Sequence, residues 1–377
     1  MTRAVRTDCR FYRGSRPCDP HKATGTICEG CAFYDRTGDR IAIVKLDAMG
    51  DVLRTAALLP DIAAGHDRPH ITWIAQPESL PMLRCVPLVD EAYSIDGIAT
   101  LAATRTYTSV YALENSELGV GAAAALQAGS YHGFRPGASG KTEGVWPGGD
   151  PTIFEIGLWD DLKKQNSRSY LEMLAAAAGV SYSGGKPSLE LPEDELAAAA
   201  DEMRGLKRPV VAVNTDAGTR WKRKQWNLEY VSEAARTFAE MEWSVALFGG
   251  SRVAAFNDGL AAAIPGAVRS FESAKDPRRL FALLSQADVL VTGDTLAMHA
   301  AWALGVPVVA LFGPTSLSEI DLAPDDIKLS ATSLPCLGCY RHTCSVSPHC
   351  MDLLTPPEIV RAVMRRLSVV PACAPPA

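Results

Sequence analysis

The sequence predicts an α/β protein of two similar halves, each with a parallel, doubly wound sheet. Three observations carry that prediction. The 377 residues are about twice the length of a typical domain. Strand-like apolar runs alternate with segments of helical period, the pattern of βαβ units. The alternation breaks off in a turn-rich stretch near Gly185 and then restarts.

The elements follow in order. Residues 1–38 hold many Cys, Arg, Gly and Pro with little apolar periodicity, and read as an irregular extension stapled by a ligand. Arg40–Leu46 is a buried-strand run, Asp47–Asp51 a tight polar loop, and Val52–Ala64 a helix with apolar residues at helical spacing. His70–Gln76, Glu91–Ile95 and Ser109–Leu113 are further strands. Gly133–Pro151, rich in Gly and Pro, reads as one long loop, and loops of that length are usually functional. Trp159–Gly179 is a helix, and Ser181–Pro187 is turn-like.

In the second half Pro209–Thr215 is a strand, Asp216–Trp226 a basic loop and Leu228–Met241 a helix. Trp243–Gly250 and Asp288–Asp294 are strands, Thr295–Gly305 a helix closed by glycine, and Pro307–Gly313 a strand. The resulting division is a Cys-rich extension at 1–38, an N-terminal domain at 39–185 and a C-terminal domain at 186–350. A last helix follows at 351–368, then a frayed tail at 369–377.

Composition limits the function classes. With 47% hydrophobic and 21% charged residues the chain buries a real core, which excludes a disordered or fibrous protein. Lys and Arg number 37 against 43 Asp and Glu, a net charge of −6. An acidic chain makes a poor general nucleic-acid binder, so any polyanion site is local. No apolar run reaches the roughly 18 to 20 residues of a membrane span. The charged start MTRAVRTDCR has no apolar core of a secretory signal. A cytoplasmic protein with at most peripheral membrane contact is expected; its oligomeric state is not encoded in any motif.

Ligands of open α/β sheets bind beyond the carboxyl ends of the strands. Asp51 and Asp294 occupy such positions, each just before a helix, so each is either a plain N-cap or a site residue. The run Arg220-Trp221-Lys222-Arg223-Lys224 is the dense basic cluster of the folded part and follows a strand, where a diphosphate would lie; a solvated surface run is the alternative. Gly137–Thr142, GASGKT, invites comparison with a phosphate-binding P-loop, but position 135 is Arg135 where that motif needs glycine, so a Walker-type nucleotidase is excluded.

Eight of the ten cysteines form two sets, Cys9, Cys18, Cys28 and Cys31, and Cys336, Cys339, Cys344 and Cys350; Cys85 and Cys373 stand alone. In a reducing compartment clustered thiols point to metal before disulfide. Each set contains a CxxC, which puts two thiolates on one turn, and four thiolates satisfy a tetrahedral ion. Structural zinc is expected at the N-terminal set, with iron or an iron–sulfur cluster as alternatives. The C-terminal set is a second metal site or a group of buried structural thiols. His21, His342 and His349 are spare ligands.

Several of these segments together resemble glycosyltransferase family nine, the ADP-heptose heptosyltransferases of lipopolysaccharide assembly. The anchors are Ile41–Leu58 (IAIVKLDAMGDVLRTAAL), Lys224-Gln225-Trp226, Leu247–Gly250 (LFGG), Ala287–Ser316, and the ending from Cys336 to Leu367. The resemblance covers roughly residues 40–368 and implies a GT-B fold: two Rossmann-like domains facing across a cleft, with the last helix returning to the first domain. It implies acceptor binding by the N-terminal half, donor binding by the C-terminal half, and inversion without a catalytic metal. Asp51 matches the family's general base, and Lys224 the residue that steadies the donor diphosphate. Asp294 and His299 match the donor-binding segment, where Leu296 replaces the usual glycine. The implied donor pocket also takes in Thr295, Arg220, Gly249, Gly250, Gly313 and Thr315. The N-terminal Cys extension sets the chain apart as a divergent subgroup.

A sugar hydroxyl needs a base within reach in the transition state, and the leaving diphosphate needs fixed positive charge. The resemblance implies, as the expected function, transfer of a heptose-like sugar from a nucleotide-diphosphate sugar such as ADP-heptose to a hydroxyl. The acceptor is a cell-surface glycan, a protein or a small metabolite, met by the Gly133–Pro151 loop and by the helix holding Lys163, Lys164, Asn166 and Arg168. The rivals are a nucleotide-sugar 2-epimerase, a non-catalytic metal-containing sugar-nucleotide binding protein, and an iron–sulfur redox protein.

Overall fold

The computed structural model describes residues 3–218, 222–272 and 276–369. The first sheet contains β1 (Arg40–Val44), β2 (His70–Ala75), β3 (Glu91–Ser94), β4 (Thr106–Ala112), β5 (Gln127–Pro136) and β6 (Thr142–Val145). Its order is β3-β2-β1-β4-β5-β6, parallel except for β6, which pairs antiparallel with β5. The second sheet contains β7 (Val210–Asn214), β8 (Ser244–Gly249), β9 (Val268–Glu272), β10 (Val289–Gly293), β11 (Val308–Phe312) and β12 (Ile327–Ser330). Its order is β12-β11-β10-β7-β8-β9, parallel throughout. Both sheets thus have the Rossmann order, which reverses direction between β1 and β4 and again between β7 and β10. Those reversals open crevices at the strands' carboxyl ends.

The central strands are apolar on both faces because helices cover both sides of each sheet. Ile41 to Val44, Val289 to Val291 and Val308 to Phe312 are almost fully buried. The core is continuous across the two domains. Helix Pro277–Leu284 packs on helix Leu80–Leu83, and helix Leu296–Leu304 packs on helix Met49–Thr55. None of residues 3–38 is buried. The extension is latched to the first domain by polar contacts: Arg10 to Asp90 and to the Pro69 carbonyl (2.8 Å), and Arg68 to Asp35 (2.7 Å). Among the described residues no helix is long and apolar enough to cross a membrane.

Several expectations change. Gly133–Pro151 contains the β5–β6 hairpin rather than an open loop, because Tyr131 stacks on Trp146 with ring centres 5.1 Å apart. Gly133, at φ +82°, also lets the chain approach the Ala112 carbonyl where a Cβ would lie 2.2 Å away. Trp159–Gly179 is two helices, Asp160–Gln165 and Tyr170–Ala177. Ser169 and Glu172 form a capping box that starts the second afresh. The Val52–Ala64 helix begins earlier, at Met49, and passes through a 3-10 turn at Ala56–Leu58 before Leu59–Ala64, where Pro60 suits a new first turn.

The last helix, Pro356–Val369, was expected to return to the first domain. It packs instead on helix Leu228–Glu240 and on β10 and β11 of its own domain. Its apolar stripe, Ile359, Val360 and Val363, joins the core cluster of Val211, Val231 and Val309. Arg366 pairs with the buried Asp326 at 3.0 Å, which fixes the same docking. Tail residues 370–377, with Cys373, lie outside the described residues.

Candidate active site

Asp51 follows β1 at the first crevice. The N-cap of helix Met49–Thr55 is Ala48, so Asp51 stands in the first turn and its carboxylate is not spent on capping. It pairs with Arg54 at 2.6 Å, and 37% of its side chain stays exposed. Burial alone would raise its pKa, but the charges of Arg54 and Lys45 outweigh this and hold it at about 2. Lys45 is itself buried, paired with Glu114 at 2.9 Å, and donates to the Asp47 carbonyl at 3.1 Å. This buried pair fixes the loop that carries Asp51. The Arg54 guanidinium lies over the Tyr170 ring, 3.6 Å from its centre.

On the facing side, Lys224 lies in the short 3-10 turn Lys222–Lys224 after β7 and reaches the loop after β10. Its Nζ donates to Asp294 Oδ2 at 2.7 Å and to the Asp294 carbonyl at 3.2 Å. Burial opposes ionisation of Asp294, but Lys224 and His299 hold its carboxyl below the usual range. His299 Nε2 stands 3.8 Å from Asp294 Oδ1. Burial and the Arg54 charge depress the His299 pKa to about 4, so the ring is neutral near pH 7. Thr295, not Asp294, is the N-cap of helix Leu296–Leu304. Its hydroxyl meets Thr292 at 2.9 Å and accepts from Asn214 Nδ2 at 3.0 Å. Gly293 is required here, since a Cβ would stand 2.6 Å from the Lys224 carbonyl.

The two sides meet. A Cβ on Gly50 would lie 3.1 Å from the His299 ring, so the Asp51 loop abuts the helix behind Asp294. Arg54 Nε, His299 Nδ1 and Glu319 Oε1 are all buried here without hydrogen-bond partners. An unpaired buried polar atom costs about 1–3 kcal/mol, so these three are open to water or to a polar ligand. Glu319 has its pKa raised by burial, against the charge of Lys163. It accepts from the Tyr340 hydroxyl at 3.1 Å, and Lys163 Nζ lies 3.9 Å from the Tyr340 ring centre. Lys163 belongs to the helix expected to meet the acceptor, whereas Arg54, Tyr170, Asn214, Glu319 and Tyr340 are not singled out by the sequence. Only the position of Arg54, one turn after Asp51, could have signalled its place.

Of the other predicted residues, Thr315 is buried with its hydroxyl unpartnered. Gly249 and Gly250 serve tight packing: a Cβ would lie 2.2 Å from the Val253 side chain at the first and 3.0 Å from Asp216 Oδ2 at the second. Gly313 approaches Cys350 in the same way, at 2.4 Å. Arg220 lies outside the described residues. Lys164 is exposed. Asn166 is tied to its own turn through Arg168, whose guanidinium is occupied by Asp150 at 2.8 Å. The neighbour Lys163, rather than these three, faces the charged cleft.

Cys9, Cys18, Cys28 and Cys31 line one pocket together with His21, and Cys336, Cys339, Cys344 and Cys350 line another with His349. All eight are free thiols of intermediate exposure. Among the described residues, however, no group of three or more His, Cys, Asp or Glu is arranged to hold a metal ion. As placed, neither set fits a tetrahedral shell.

The sequence model of the family described as Glycosyltransferase family 9 (heptosyltransferase) matches residues 162–349. Lipopolysaccharide heptosyltransferase 1 of Pseudomonas aeruginosa PAO1 is 34% identical over 144 residues, 35% of this chain and 37% of that protein. The alignment thus spans little more than a third of the curated relative. Among solved structures, the family 9 glycosyl transferase of Veillonella parvula DSM 2008 superposes with a TM-score of 0.70 at 18% identity, covering 88% of this chain and 97% of that one. TibC of enterotoxigenic E. coli H10407, described as an iron-containing dodecameric glycosyltransferase, gives 0.53 at 16% identity, covering 88% and 76%. It is also solved in complex with ADP-D-beta-D-heptose. These likenesses establish the GT-B fold. The family match marks residues 162–349 as a glycosyltransferase family 9 region.

Proposed function

We propose that the chain is an inverting glycosyltransferase that moves a heptose-like sugar from a nucleotide-diphosphate sugar, ADP-heptose first among them, onto a hydroxyl acceptor. The observation that carries this reading is the meeting of the Asp51 loop with the Lys224–Asp294 pair, each at a switch point of its own sheet. The relatives' names, and the ADP-heptose complex of TibC, point to the same donor. The acceptor approaches from the Asp51 side. Asp51 takes the hydroxyl proton as the oxygen bonds to the anomeric carbon. At a pKa of about 2 it is a weak base in the ground state. Its assistance is concentrated in the transition state, when the attacking hydroxyl has become strongly acidic.

On the donor side Lys224 and the amino end of helix Leu296–Leu304 meet the charge that builds on the departing diphosphate. Asp294 orients Lys224, and neutral His299 offers a ring nitrogen to the donor without adding charge. No step is routed through a metal. Calorimetric titration with ADP-heptose tests the donor assignment. Lys224→Ala should weaken binding by about tenfold or more, since a charge-assisted contact to phosphate is lost. Unchanged affinity would remove Lys224 from the donor site.

A further inference from the structure

The extension carries arginines at positions 10, 13 and 16. Together with the first domain they enclose a cavity of about 660 Å³ at the opposite end of the sheet from Asp51. Arg40 and His70 open β1 and β2, Arg105 directly precedes β4, and Arg10, Arg13 and Arg16 come from the extension. Five arginines thus line the cavity, against one carboxylate, Glu91. Three of the five are already paired: Arg10 with Asp35 and Asp90, Arg13 with Asp19, and Arg105 with Glu91. Arg16 and Arg40 are exposed and, among the described residues, have no carboxylate partner.

A second observation points to a ligand. His70 is only 6% exposed, lines this cavity, and has no partner at Nδ1. Arg13 Nε is likewise buried and unpartnered. Open α/β sheets normally take ligands at their carboxyl ends, so a polar cavity at the amino end exists here only because the extension covers it. Its positive lining is local in a chain of net charge −6.

We propose that this cavity is a second, distal anion site, which takes the phosphate or diphosphate group of a small molecule. Arg16 and Arg40 supply the free charge, while His70 Nδ1 and Arg13 Nε supply buried hydrogen-bonding positions. Arg10, through Asp90 and the Pro69 carbonyl, holds the extension in place around them. A recess of this size admits a phosphorylated metabolite, whereas an extended polyanion would need a continuous basic surface. The proposal does not depend on the glycosyltransferase reading.

Hydrogen exchange of the full chain with inorganic pyrophosphate tests it. Saturable protection is expected in segments 7–16 and 104–106. In Arg16→Ser/Arg40→Ser the concentration needed should rise by about tenfold or more, because charge-assisted contacts dominate phosphate binding. Retained exchange behaviour at residues 222–226 of the other domain shows that the variant is folded. Absence of protection at 7–16 with millimolar pyrophosphate, or equal protection in the variant, would overturn the proposal.

Discussion

Arg54 sets the acidity of Asp51, and this makes the pair testable by pH. Its guanidinium is the leading charge that holds the carboxyl down. In Arg54→Gln the Asp51 pKa should rise by at least about one unit, which moves the acid limb of kcat/KM to higher pH. A limb that does not move would separate Arg54 from Asp51. His299 gives a second titration. Its folded pKa of about 4 lies below the ordinary 6.5, so the unfolded chain binds the proton first. Its neutral burial is harmless above pH 6.5 and increasingly costly down to about 4, by roughly 3 kcal/mol in all. Denaturant titrations should therefore show His299→Asn losing less stability than the parent protein between pH 6.5 and 4. Equal slopes would contradict the assignment. Asp51, Lys224 and Asp294 were legible in the sequence because each follows a central strand on its carboxyl side. Glu319 and Tyr340 were not, because only folding gathers them from separate elements.

At the scale of elements, helix Tyr170–Ala177 depends on its capping box and presents Tyr170 to Arg54. Ser169→Ala should cost about 1 kcal/mol of stability, measured by chemical denaturation; an unchanged midpoint would argue against the cap. Gly293→Ala should instead act on function. Its Cβ would press on the Lys224 carbonyl, so donor affinity should fall while the β10 fold persists. The strands buried on both faces, β1, β2, β7, β8, β10 and β11, were readable as continuous apolar runs. Strands β5, β9 and β12 lie nearer the sheet edges, bury only some of their residues and carry mixed patterns such as VRSFE and IKLS. The last helix was readable as a helix, but its partner was decided by the apolar stripe meeting β10 and β11.

At the scale of the whole molecule, two sheets of identical strand order bring their switch points together. One contributes a carboxylate with an arginine partner, the other a lysine–aspartate pair and a neutral histidine. That division suits a reaction in which acceptor and donor come from opposite sides. The restart of the βαβ pattern near Gly185 disclosed the two domains, whereas the contact between Gly50 and His299 arises only when they pack. The extension adds a separate polar cavity far from this cleft. The central claim is that Asp51 acts as the base at the cleft. The most direct test is the turnover of Asp51→Ala with ADP-heptose and a hydroxyl acceptor, beside its donor affinity by calorimetry. Turnover should fall by roughly two orders of magnitude or more with donor affinity little changed. Near-normal turnover in that variant would contradict the account.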